Sequence, residues 1–213
     1  MEVSVPMALA DYIPVAFFAI AAVILMRDLY HLMSKGTFAI FSAGLLNVTI
    51  AGALKATYKL LYAAGICDFA ALNEIFFPVQ SIGFLLAGIG ILTMLCRKQG
   101  RKTAMLAVAP PLFKGTFLFV GLMVAGLGMI DTVLCILAVK VKKPWLIAVF
   151  VFSFVCSLCM GYLSSKDFAE AAMNWIAQGV NVVGQGTLII KEFGVGRPSA
   201  VLIPKMRADN LIL

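Results

Sequence analysis

Six apolar stretches, each near the length that crosses a bilayer, leave this chain few ways to fold. They run over about 12–26, 38–64, 73–96, 116–139, 145–162 and 168–190. A helix rising 1.5 Å per residue needs about 20 such residues to cross the hydrocarbon core. In lipid only helices and closed barrels satisfy every backbone group, and stretches this long and continuous are helical. At 62% hydrophobic and 13% charged residues, the chain lies far from the roughly 45 to 50% apolar and 25% charged of a soluble domain. The expectation is an all-α integral membrane protein of about six transmembrane helices, multi-pass, in a plasma (cytoplasmic) membrane of bacterial type.

Its 213 residues leave room for short loops and no separate soluble domain. The reading is a single membrane domain over 1–213. Residues 1–96 form a first three-helix half, 97–115 a basic and Pro-containing linker, 116–192 a second half and 193–213 a tail. The net charge of +7 does not imply nucleic acid, because the basic residues flank the apolar stretches, where Lys and Arg anchor a helix and set its orientation. The start carries Glu2 and Asp11 without Lys or Arg, so a cleavable leader is not expected.

Polar residues inside the stretches carry the functional information. Asn174, Gln178, Asn181 and Gln185 recur at spacings of four, three and four, which on a helix confines them to about 60° of arc. Four amides facing lipid would lack hydrogen-bond partners, so the stripe faces protein or a wet cavity. Asn47, Asn73 and Gln80 are expected to join it. Lys55 lies well inside the second stretch, where an ammonium needs a partner. Asp131 in the fourth stretch is the expected one, as a structural ion pair or a coupled charge site. Small residues at Gly83, Ala87 and Gly90, and again at Gly121, Ala125 and Gly128, predict smooth faces for close helix packing.

Placing Asn73 over Asn174 sets Gln80 over Asn181, a weak sign of two three-helix copies. Joined directly, such copies form an inverted repeat, as in many transporters. The charges pull two ways. With the N-terminus outside and six spans, the cluster RKQGRK at 97–102 is inside, but KVKK at 140–143 and the basic tail are outside. A seventh crossing near 103–115 would place all of them inside and make the copies parallel. Six spans is the expectation, because Pro110, Pro111 and Lys114 suit lipid poorly.

Other chemistries find little footing. The five cysteines are odd in number and give no disulfide framework or zinc spacing. Cys156 and Cys159 match C-x-x-C inside a continuous apolar stretch, with no basic neighbour to activate a thiol. One histidine, His31, excludes paired-histidine haem ligation. No cofactor or metal is expected, and an enzyme is the less favoured reading. The preferred function is a small helical transporter or channel that binds a small solute or ion at a polar cavity between the halves. The alternative is a non-catalytic subunit of a larger complex, its polar and Gly-rich faces docking on partners. Expected partners are the bilayer, the solute and other copies or subunits in an oligomer.

Overall fold

The computed structural model describes residues 4–96, 116–140, 142–163 and 171–195. The expectations for the basic cluster at 97–102, the Pro110 and Pro111 segment and the tail lie outside the described residues. Among the described residues all regular structure is helical. The elements are α1 (Val5–Ala10), α2 (Tyr12–Leu29), α3 (Lys35–Ala63), α4 (Ala70–Glu74), α5 (Phe76–Cys96), α6 (Thr116–Lys140), α7 (Trp145–Leu163) and α8 (Ala171–Val195).

Four stretches, Val5–Leu29, Lys35–Ala63, Ala70–Met94 and Leu118–Lys140, are long and apolar enough to cross a membrane, and Trp145–Cys159 is a shorter apolar helix. The outward faces agree. Ile20 and Val23 on α2, Leu46 and Ile50 on α3, Val151 and Phe152 on α7 and Ile176 and Val183 on α8 are all exposed. Apolar surface on that scale does not face water in a soluble monomer.

Local chemistry sets the helix ends. Ser34 caps α3, its Oγ accepting from the Thr37 N–H at 3.3 Å, an interaction worth about 1 kcal/mol. α3 stops at Gly65, whose φ of 67° lets the Gly65 and Ile66 N–H groups turn back onto the carbonyls of Tyr62 and Leu61. α6 ends in the same motif without a glycine. Lys142 takes φ 59°, and the N–H groups of Lys142 and Lys143 bond the carbonyls of Val139 and Ala138. The left-handed conformation costs a non-glycine residue about 1 kcal/mol, and Pro144 then opens the next helix. A short helix, α1, precedes the first apolar stretch and ends at Asp11, and part of the connection after α3 folds into α4.

The helices close into a ring. α3 packs on α5, α5 on α6, α6 on α7, α7 on α8, α8 on α2 and α2 on α3. Lipid is as apolar as the side chains, so close packing rather than water exclusion holds such helices together. α5 is the centre of that packing. On one side Gly83 and Ala87 receive α3, such that a Cβ at Gly44 would lie 2.6 Å from the Gly83 carbonyl oxygen, and Gly90 fits against Phe41. On the other side Gly88 meets Gly126 of α6, and a Cβ at Gly126 would lie 2.6 Å from the Leu85 nitrogen. The first predicted small-residue face is therefore real. The second is out of register: Gly121 has nothing within 4 Å, Gly128 only touches Phe154, and Gly126 makes the close approach.

Helix direction is the largest departure from expectation. Ser81 Oγ donates to the Phe119 carbonyl at 2.8 Å, Gly126 lies against Phe84 and Leu85, and Gly88 lies against Gly126 and Met129. Positions rise together along both helices, so α5 and α6 are parallel. α2 and α3 are antiparallel, with Tyr12 on Thr57 and Val15 on Gly52. α3 and α5 are antiparallel too, Phe41 meeting Gly90 and Val48 meeting Gly83. An inverted repeat of directly joined halves would put α5 and α6 in opposite directions, whereas here they run the same way.

Candidate functional site

The ring encloses a cavity of about 300 Å³ to which all six long helices contribute. α2 supplies Val15 and Phe18, with Asp11 just before it; α3 supplies Thr49, Gly52, Lys55 and Lys59; Asn73, Phe76, Gln80 and Phe84 come from α4 and α5. Met123 and Leu127 of α6, Ser157 of α7, and Gln178, Asn181 and Gln185 of α8 complete it.

The stripe on α8 faces this space because α8 packs between α7 and α2 and lays one face inward. Its placement is helped by Gly184, against which Cys156 packs and whose carbonyl accepts from Ser153 Oγ at 3.4 Å. Gln178 is 9% exposed. Its Nε2 and the Oε1 of Gln185 are buried without a hydrogen-bond partner. An unmade bond at a buried polar group costs about 1 to 3 kcal/mol, and both residues contribute to the cavity lining. Asn181 lies between them and is half-buried.

The charged groups gather toward the end of the bundle where α2 begins and α3 ends. Lys59 Nζ is 2.7 Å from Asp11 Oδ2, with the two side chains 15% and 12% exposed. One helical turn deeper, Lys55 Nζ lies 4.0 Å from the centre of the Phe76 ring and 5.5 Å from that of Phe77. The negative face of an aromatic ring attracts a cation by about 0.5 to 2 kcal/mol. That stabilises the ammonium without neutralising it. Beside this group, Tyr58 donates from its hydroxyl to Asp68 at 3.3 Å, and Tyr12 and Thr57 share a hydrogen bond of 2.8 Å between α2 and α3.

Of the residues singled out in sequence, Gln178, Asn181, Gln185, Asn73, Gln80 and Lys55 meet at this one cavity. Asn174 begins the stripe on α8, but its side chain lies outside the described set. Asn47 is half-buried on α3 and is not in the lining, which takes its neighbours Val48 and Thr49 instead. Asp131 is half-buried on α6, also away from the lining. The ion pair at the cavity is therefore Lys59 with Asp11, and Lys55 rests on aromatic rings. Sequence reading missed Asp11 because it sits before the first helix and reads as a flank. It missed Lys59 for the same reason at the end of α3.

Among the described residues no three His, Cys, Asp or Glu side chains group to hold a metal ion. Comparisons with protein-family models, with curated proteins and with solved structures return no match.

Proposed function

We propose that this protein is a small membrane transporter that binds a solute in the cavity between its two three-helix halves. The observation that carries the reading is the cavity itself: one space walled by all six long helices, with two buried amide groups left unpaired on α8. A packed structural core satisfies its polar groups or omits them. A binding site leaves them for a ligand. The volume is at the lower end of the range for small-molecule sites, roughly 300 to 1,000 Å³, which fits a small solute.

The proposed topology follows the helix directions. α5 and α6 are parallel neighbours, so both start at the same end of the bundle. With the N-terminus outside, the basic turn after α6, with Lys140, Lys142 and Lys143, falls on the inner side. The halves α2, α3, α5 and α6, α7, α8 are then parallel copies about an axis along the membrane normal, an arrangement also used by transporters. The contacts are compatible with it, since α5 on α6 corresponds to α8 on α2.

Uptake into proteoliposomes containing the purified chain tests the function. The solute is found by screening pools of labelled amino acids, organic acids, sugars and polyols. Asn181→Leu should abolish uptake while the protein still inserts and elutes as wild type. Uptake that is unchanged in Asn181→Leu removes the reading. If instead Asn181→Leu loses co-purifying partner chains, α8 is a docking face of a larger complex.

A further inference from the structure

Three charged residues line the cavity: Asp11, Lys55 and Lys59. Asp11 is consumed by Lys59 at 2.7 Å. The nearby Asp68 is engaged by the Tyr58 hydroxyl at 3.3 Å, and Glu74 on α4 is exposed and outside the lining. The site thus holds one net positive charge, the Lys55 ammonium, with no carboxylate within ion-pairing distance among the described residues. Its neighbours are the rings of Phe76 and Phe77, which hold it in place and leave its remaining N–H donors to a ligand. A second donor, Gln178 Nε2 of α8, is buried without a partner. Around these donors the wall is apolar, with Phe18, Phe77 and Phe84.

We propose that the ligand of this site is a small organic monocarboxylate with an apolar body. This rests on the cavity being a solute site and names the class of solute. The carboxylate accepts from Lys55 and from the Gln178 amide, cancelling the one net charge of the site. The body lies among the phenylalanines. A cationic ligand would meet an uncompensated ammonium, and a dianion would exceed the charge available among these apolar walls, where unpaired charge is costly. Gln185 Oε1, also unpaired, accepts from a hydroxyl or amine on the body when the ligand carries one.

The test uses three benzene-based probes of similar size and different charge: benzoate, benzamide and benzylammonium. Calorimetric titration and thermal-shift measurements on the full chain in detergent at neutral pH read the affinities. Benzoate should bind saturably, benzamide about tenfold or more weaker, and benzylammonium not measurably. That spread is expected for one charge-assisted hydrogen bond. Lys55→Met should weaken benzoate by about tenfold or more and leave benzamide unchanged, while Lys55→Arg keeps most of the preference. Benzamide binding as tightly as benzoate, benzoate unaffected by Lys55→Met, or no binding by any of the three overturns the assignment. If Lys55→Met does not fold, the wild-type comparison of the three probes decides alone. Uptake of labelled benzoate into proteoliposomes separates the two readings. Benzoate binding without uptake keeps the ligand class and removes transport. Uptake of a neutral solute insensitive to Lys55→Met keeps transport and removes the ligand class.

Discussion

Lys59 Nζ stands 2.7 Å from Asp11 Oδ2, joining the last turns of α3 to the break between α1 and α2. Both side chains are largely shielded, so each depends on the other to offset its desolvation. Removing one partner strands the other. Asp11→Asn or Lys59→Met alone should lower stability by about 3 kcal/mol, the lower part of the range for breaking a buried pair. The double variant Asp11→Asn with Lys59→Met should recover most of it. Thermal unfolding midpoints in detergent read the cycle; additive losses would show that the pair is not coupled.

The two unpaired amides on α8 predict a trade between stability and binding. Gln178→Leu removes a buried donor that the empty protein does not satisfy. The variant should be as stable as wild type or more stable by about 1 kcal/mol, yet lose solute uptake. A large drop in midpoint would mean that Gln178 holds the bundle together.

Neighbouring positions on α3 should behave differently. Asn47→Leu lies outside the cavity lining, and Thr49→Leu fills space inside it. Uptake should survive the first and fail in the second, with both proteins inserted normally. Loss of uptake in Asn47→Leu would place the solute path elsewhere.

Glycine substitutions separate contact from propensity. At Gly44 a new Cβ meets the backbone of Ala87 and Gly83, which cannot move aside as a side chain does. Gly44→Ala should destabilise by about 1 to 3 kcal/mol, as overpacking does. At Gly121 nothing lies within 4 Å, and Gly121→Ala should stabilise by about 0.5 to 1 kcal/mol through helix propensity. The two midpoints moving in the same direction would contradict the α3 to α5 packing.

The direction of α6 predicts labelling from opposite sides. Cys67 is exposed just beyond α3, at the end where α5 and α6 begin. Lys142 is exposed in the turn after α6, at the other end. A membrane-impermeant maleimide applied to intact cells should label Cys67. In a background lacking the other cysteines, Lys142→Cys should react only after permeabilisation. Reaction of both from outside would restore the inverted arrangement.

Sequence alone determined the composition of the helices, close to their ends, and the inward stripe of Gln178, Asn181 and Gln185. Those features are local: an apolar run fixes a helix in lipid, and spacing of three and four fixes a face. Tertiary structure decided which faces meet and which way the helices run. Gly126 rather than Gly121 or Gly128 receives α5, because only its surface is opposed by backbone, at Phe84 and Leu85. Lys59 rather than Lys55 takes a carboxylate, because the antiparallel register of α2 and α3 brings Asp11 to the last turns of α3. Spacing along one chain carries no information on the register between two helices. That register is set by side-chain volumes meeting across an interface, and it leaves Lys55 as the uncompensated charge of the cavity.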